Sequence, residues 1–123
     1  SLIRASGVDT AISHPPLIQQ AIITVNDRFL SHLTLKDVAE ELYVSPNYLG
    51  LLFKNKVGVS FNTYLTMTRL RYASMLLNTT NKTVNEIAML SGFSSTEYFL
   101  SRFKKIMNCT PKEYKKLSEN IQN

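Results

Sequence analysis

The feature that most constrains this chain is a repeat within its own sequence. Residues 34–39 (TLKDVA) match residues 83–88 (TVNEIA) at a constant offset. After one inserted residue the match resumes at four places, where Tyr48-Leu49, Phe53-Lys54, Ser60 and Tyr64 correspond to Tyr98-Phe99, Phe103-Lys104, Thr110 and Tyr114. Solenoids need several stacked copies, whereas this chain carries two. The repeat therefore predicts two related lobes.

Each copy carries the signals of helices separated by tight turns. Apolar residues recur at helical spacing, and no segment alternates with a period of two. The predicted helix starts, each marked by a capping residue or a proline, are Pro15-Pro16, Thr34, Ser45-Pro46, Ser60, Thr83, Ser94 and Thr110. Ser94 is expected to form a capping box with Glu97. The sequence thus predicts an all-α fold of about seven helices.

In each copy a short helix, a turn and a second helix form the helix-turn-helix arrangement that is used in the major groove of DNA. We expect a linker or tail at 1–14, the first helix-turn-helix lobe at 15–58, a connecting helix at 59–78 and the second lobe at 79–123. A connecting helix of about 18 residues is roughly 27 Å long at 1.5 Å per residue. Successive major-groove faces are about 34 Å apart, so such a strut permits both lobes to meet adjacent groove segments.

Helical spacing divides each predicted recognition helix into two sides. The core side holds Leu49, Leu52, Phe53 and Lys56 in the first unit and Phe99, Phe103 and Ile106 in the second. The start and the outer side supply the predicted base-contacting residues, which are Pro46, Asn47, Gly50, Leu51, Ser95, Thr96, Glu97, Leu100 and Ser101.

Basic residues are concentrated in the second half of the chain. Residues 54–123 hold eleven basic and four acidic side chains, whereas residues 1–53 hold three and five. Such a gradient is typical of a surface that meets a polyanion. The predicted phosphate contacts are helix-capping residues and cations, namely Thr34, Lys36, Ser45, Lys54, Thr83, Arg102, Lys104 and Lys105. The alternative is that the lysines form a solvated surface and the hydroxyls only cap helices.

Catalytic and metal-binding chemistry have no support in the sequence. His14 and His32 are isolated, Cys109 has no neighbouring His, and no spacing of Cys, His and carboxylates fits zinc. We therefore expect no enzyme activity, cofactor or metal. The absence of an apolar run of about 18 residues predicts no membrane span, and a lone cysteine fits a reducing cytoplasm. The lack of an initiator Met suggests a fragment of a longer chain.

In sequence, roughly residues 15–117 resemble the AraC/XylS-type regulators. The stretches that carry the resemblance are 35–39, 42–49 (LYVSPNYL), 52–54, 58–65, Arg69, Ala73, Leu76-Leu77, 86–88, Gly92-Phe93, Tyr98-Phe99, 103–105 and 110–114. The resemblance implies two helix-turn-helix lobes joined by a helix, which bind one asymmetric DNA site and control transcription. RNA polymerase is an implied partner, and the isolated domain is expected to be monomeric. The first unit most resembles regulators that carry an N-terminal receiver domain.

Four positions depart from the family pattern. Gly50 and Leu51 stand where polar or basic residues are usual, so the first unit is expected to read bases through Asn47, backbone approach at Gly50 and contact of Leu51 with thymine methyls. Arg102 replaces an apolar residue and is expected to extend outward to a phosphate. Asn108 replaces a glycine, which is acceptable because Asn tolerates left-handed backbone.

Several roles stay open in the sequence. Glu97 either caps its helix or accepts a hydrogen bond from cytosine, and Arg69 either braces the two lobes or contacts the DNA backbone. Four tyrosines are expected to pack rather than to stack on bases, namely Tyr48, Tyr64, Tyr98 and Tyr114. For the whole chain, the rival interpretation is a helical module that binds a protein, such as a polymerase subunit or a sensor partner.

Overall fold

A computed structural model describes residues 15–122, so the tail predicted at 1–14 lies outside the described residues. The described part consists of seven α-helices joined by short turns: α1 (Pro16–Arg28), α2 (Leu35–Glu41), α3 (Pro46–Val57), α4 (Phe61–Thr79), α5 (Val84–Leu90), α6 (Thr96–Met107) and α7 (Pro111–Gln122). The all-helical prediction is confirmed.

Side-chain caps fix where most of these helices begin. Thr34 and Thr83 both form complete capping boxes, with Asp37 and Glu86 respectively. The hydroxyls of Ser45 and Ser60 accept hydrogen bonds from backbone N–H groups in the first turns of α3 and α4. Each such cap satisfies a donor that the helix itself leaves free.

The capping box predicted between Ser94 and Glu97 is wrong. The N-cap of α6 is Ser95, whose Oγ accepts from the N–H of Tyr98 at 3.1 Å. The two helix-turn-helix turns have the same hydrogen bonding as far as Val44 and Phe93. The N–H of Val44 donates to the carbonyl of Ala39, and that of Phe93 donates to the equivalent carbonyl of Ala88. Ser94 is therefore the inserted residue of the second copy, and the cap lies one position further along.

The helices enclose two separate hydrophobic cores that share α4. The first core packs α1, α2 and α3 against the start of α4, and the second packs α5 and α6 against its later turns. α4 gives Phe61 and Leu65 to the first core and Leu70, Ala73 and Leu77 to the second. The connecting helix is thus buried on more than one side, as the sequence predicted.

The two predicted recognition helices, α3 and α6, are both followed by a C-cap residue in the left-handed conformation. Gly58 closes α3 with φ 98°, and Asn108 closes α6 with φ 64°. The N–H of each residue donates at 2.9 Å to a carbonyl in the last turn, that of Lys54 or Lys104. Asn108 thus takes the left-handed conformation expected of it.

Candidate nucleic-acid interface

The first predicted recognition helix, α3, is anchored by one apolar side and presents the other to solvent. Leu49 and Phe53 are fully buried. The ring of Phe53 meets those of Phe61 and Tyr64 edge-on, with centroids 5.6 Å apart in both pairs. Asn47, Leu51 and Lys54 are exposed on the other side. Leu51 leaves 67% of its surface exposed, so its side chain is accessible from outside.

Two residues of α3 differ from their predicted places. Lys56 was expected on the core side but is exposed, because an ammonium group without a partner is too costly to bury. Gly50 is half-buried, and a Cβ added there would meet Cδ2 of Leu35 at 3.1 Å. Gly50 therefore lets α2 approach α3 closely, and backbone contact with a base at this residue stays a prediction.

The second predicted recognition helix, α6, also has one buried apolar side and one exposed side. Phe99 and Phe103 are fully buried, and rings of Phe93, Phe99, Phe103 and Tyr114 form a chain with successive centroids 5.1–5.7 Å apart. The exposed side consists of Glu97, Leu100, Ser101 and Lys104, as the helical spacing predicted. Aromatic packing on one side thus fixes which residues of α6 face outward.

The first turn of α6 places two predicted base contacts in different settings. Thr96 is half-buried, and its hydroxyl donates to Oδ1 of Asn85 on α5 at 2.7 Å. Glu97 is exposed and, since Ser95 caps the helix with its own hydroxyl, has no capping role. The carboxylate of Glu97 is therefore free to meet a ligand from outside.

The predicted phosphate contacts are only partly supported by their surroundings. Lys36, Lys54, Lys104 and Lys105 are all exposed, as are the capping residues Ser45 and Thr83. The N–H of Thr34 already donates to the Asp37 carboxylate at 3.2 Å, and that of Thr83 to the Glu86 carboxylate at 2.9 Å. A carboxylate at each of these helix starts repels a phosphate, so both threonines are weak candidates.

Glu86 and Arg102 add to this electrostatic description. Two hydrogen bonds from Thr83, first from its backbone N–H, hold the pKa of Glu86 below the ordinary value, so its negative charge persists to a lower pH than that of an ordinary glutamate. Arg102 is half-buried, and among the described residues no acceptor meets its buried Nε. The outward extension to a phosphate that was predicted for Arg102 stays a prediction.

Two tyrosines that the sequence predicts to pack, Tyr48 and Tyr98, are partly exposed at this surface. Tyr48 and Tyr98 hold equivalent positions near the starts of α3 and α6 and are about half exposed, at 54% and 47%. Tyr98 also contacts the buried ring of Phe93, with centroids 6.1 Å apart, and Tyr64 and Tyr114 pack against core phenylalanines as expected. Tyr48 and Tyr98 recur at the same position in both predicted recognition helices, and this recurrence was the sequence signal that they lie at this surface.

Charge is distributed unequally between the two lobes. Residues 15–58 carry four basic and four acidic side chains, whereas residues 79–123 carry seven basic and four acidic ones. Within residues 15–122, no group of three or more His, Cys, Asp or Glu side chains is placed to hold a metal ion. No helix in that range is both long and apolar enough to cross a membrane.

Comparison with known proteins relates the whole arrangement to DNA-binding regulators. Residues 38–117 match a family described as helix-turn-helix domain. The uncharacterized HTH-type transcriptional regulator YijO of Escherichia coli is 36% identical over 111 residues, which are 90% of this chain and 39% of that protein. The chain thus spans about two fifths of the length of this curated relative.

Two solved structures share the fold at appreciable identity. The C-terminal domain of AraT, a response regulator from Geobacillus stearothermophilus, superposes with a TM-score of 0.80 at 36% identity, covering 84% of this chain and 86% of that one. A transcriptional regulator from Chromobacterium violaceum, described as having an AraC-type DNA-binding domain, gives 0.78 at 28% identity, covering 91% and 96%.

Proposed function

Because the chain belongs to the AraC/XylS-type family of DNA-binding transcription regulators, which are not enzymes, we propose that it reads one asymmetric DNA site with both lobes. In this proposal α3 and α6 enter adjacent major-groove segments on one face of the duplex. The observation that carries it is the shared two-sidedness of these helices: in each, two large side chains are fully buried and the opposite side is exposed.

The two lobes are proposed to contribute differently. The outer side of α6 offers a carboxylate at Glu97, a hydroxyl at Ser101 and an ammonium group at Lys104. The outer side of α3 offers the amide of Asn47 and the exposed side chain of Leu51, which suits the methyl group of thymine. The second lobe, with its excess of basic residues, supplies most of the attraction to phosphates.

The setting of this domain follows from its relatives. We propose that it is the DNA-binding end of a longer cytoplasmic regulator, since it covers only part of the relative YijO. A receiver domain in the remainder would match AraT, which is described as a response regulator. The duplication replaces the two-fold symmetry of a dimer, so the domain alone is proposed to bind as a monomer and to present RNA polymerase with one defined orientation.

A protein-binding module remains the second candidate, because one specific observation favours it. Met89 and Leu90, at the end of α5, leave 62% and 46% of their surfaces exposed, and apolar side chains of this size are common in protein interfaces. Such an interface can coexist with DNA binding. It replaces DNA binding only if the outer sides of α3 and α6 have no affinity for a duplex.

The deciding experiment is a salt titration of binding to DNA, followed by selection from a random duplex pool. Fluorescence anisotropy with a mixed-sequence duplex is expected to show affinity falling steeply with salt, because bound Lys and Arg side chains release counterions. Selection is expected to return one asymmetric site. Affinity that is insensitive to salt, or a pool without enrichment, would overturn the proposal.

A further inference from the structure

The two lobes meet at a junction centred on Arg69 of α4. Its Nε donates to the carbonyl oxygen of Phe29 at 2.7 Å, and one terminal nitrogen donates to that of Ser31 at 2.9 Å. Phe29 is the C-cap of α1, and Ser31 follows it in the loop to α2. One guanidinium on the connecting helix therefore binds two carbonyl oxygens, two residues apart, just after the first helix of the first lobe.

The second lobe touches the same group through the turn of its helix-turn-helix unit. A Cβ added to Gly92 would lie 2.9 Å from Nε of Arg69 and 3.1 Å from the carbonyl oxygen of Phe29. A side chain at Gly92 would thus collide with Nε of Arg69 and crowd the carbonyl oxygen of Phe29. The close fit brings the backbone of the second lobe, the connecting helix and the first lobe together at one point.

An aromatic pair beside Arg69 joins the two cores. Phe29, which packs on the first core, meets Tyr72, which packs on the second, with centroids 5.5 Å apart and planes at 68°. The guanidinium lies partly buried among these groups, and burial lowers the pKa of Arg69. Its hydrogen bond to Phe29 is part-buried and therefore harder for water to replace, whereas its hydrogen bond to Ser31 is exposed.

We propose that Arg69 is a positioning residue: it fixes the angle between the lobes and thereby the separation between the two half-sites that α3 and α6 can read together. This inference rests on the proposed function. The connecting helix alone holds the lobes at a set distance, but rotation of one lobe around the end of α4 would shift its recognition helix along the groove. The contacts of Arg69 with Phe29 and Ser31, closed from the other side by Gly92, prevent that rotation.

Arginine is suited to this place by its shape. The planar guanidinium holds several donors in one rigid array, so it can bind two carbonyls in different directions at once. The carbonyl of Phe29, the C-cap of α1, also lies at the negative end of the helix dipole, which favours a cation there. Lysine would keep the charge but not the fixed pair of directions.

The first test is made without DNA. Spin labels are attached at Lys56→Cys on α3 and Lys105→Cys on α6, two exposed positions, in a Cys109→Ser background, and the distance between labels is measured by pulsed electron paramagnetic resonance. Arg69→Ala is expected to broaden a narrow distribution. Arg71→Ala is the matched control, since Arg71 is an exposed arginine on the same helix whose contact is a 3.4 Å bond to Thr68 within α4. A distribution as narrow in Arg69→Ala as in the control would overturn the proposal.

The second test varies the DNA. Once a site has been selected, its two halves are moved apart or together by one or two base pairs, which also rotates them about the duplex. When the separation of the two halves is changed in this way, the affinity of the unaltered protein is expected to fall by about tenfold. Arg69→Ala is expected to reduce that penalty to a few-fold while binding each isolated half-site as before. An unchanged spacing penalty would overturn the inference even if DNA binding itself is confirmed.

A milder variant guards against loss of folding. Arg69→Lys keeps the charge and the aliphatic chain and is expected to give intermediate broadening and an intermediate spacing penalty. If the protein binds no DNA at all, the proposed function fails, whereas the spin-label distances still decide whether Arg69 holds the lobes together.

Discussion

Tyr43 and Gly92 occupy the same place in the two helix-turn-helix turns, and both have left-handed backbone, with φ 61° and 91°. The following residue closes each turn identically, as Val44 donates to the carbonyl of Ala39 and Phe93 to that of Ala88. The turn therefore imposes this conformation whatever residue is present. Glycine adopts it without strain, whereas a bulky aromatic residue rarely does.

Tyr43→Gly is expected to stabilise the protein. The tyrosine is 94% exposed, so few contacts are lost, and relief of the left-handed strain should contribute about 1 kcal/mol to the free energy of unfolding. Thermal or urea unfolding measures the change. Tyr43→Ala, which removes the ring but keeps the strain, is the control and should change stability little. Equal stabilisation by both variants would show that the ring, and not the backbone, is responsible.

Lys54→Ala is expected to weaken binding to all DNA sequences and to flatten the salt dependence by about one unit. Lys54 lies on the outer side of α3, and Lys104 on the corresponding side of α6, so Lys104→Ala should act alike. Lys56→Ala removes an exposed lysine about 200° around α3 from Lys54 and is the control. If Lys56→Ala lowers the slope as much as Lys54→Ala, no specific side of α3 faces the DNA.

Joint replacement of Thr96 and Ser101 by Val and Ala is expected to change sequence preference in one half of the site. Both residues belong to α6, so the half read by α3 should stay as before. Selection from random DNA with the variant and with the unaltered protein makes the comparison. Asn85→Ala is an informative companion, because it frees the Thr96 hydroxyl from its 2.7 Å bond without removing it. An unchanged selected sequence would exclude both side chains from base contact.

Acid is expected to destabilise the second lobe through two capping carboxylates. Hydrogen bonds from the backbone and side chains of Thr83 and Thr110 lower the pKa values of Glu86 and Glu113 in the folded state. A lowered folded pKa means that the stabilisation is complete above the ordinary value of 4.5, which holds in the unfolded chain, and is lost as pH falls through the folded pKa.

The double variant Glu86→Gln/Glu113→Gln should therefore lose less stability than the unaltered protein between pH 5 and the acid limit of folding. Glutamine can still accept in a capping box, so stability near pH 7 should fall only slightly. Urea unfolding across this pH range provides the comparison, and carboxyl NMR titration locates each group. NMR titration midpoints of Glu86 and Glu113 at or above the ordinary pKa of glutamate would contradict the expectation.

Local patterns were enough to predict the helices, the caps at Thr34 and Thr83 and the outer side of α6. These features depend on residues within one or two turns of each other, which is the range that spacing and capping rules cover. The cap of α6 was misplaced because Ser94 and Ser95 are both suitable. Only the closure of the preceding turn by Phe93 decides between them.

The features that sequence could not predict depend on contacts between distant residues. Arg69 binds carbonyls about 40 positions earlier in the chain, and no local pattern indicates which of its two open roles it has. The position of Gly50 against Leu35 likewise follows from how α2 crosses α3. The left-handed Tyr43 gave no signal at all, since a tyrosine is an unlikely choice for that conformation.

The most direct measurement is hydroxyl-radical footprinting of the selected site, carried out with the unaltered protein and with variants of each recognition helix. Two protected patches about 10 base pairs apart on one face of the duplex are expected. Leu51→Ala should weaken the patch that α3 covers, and Ser101→Ala the patch that α6 covers. A single patch, or two patches on opposite faces, would contradict the claim that both units read one site together.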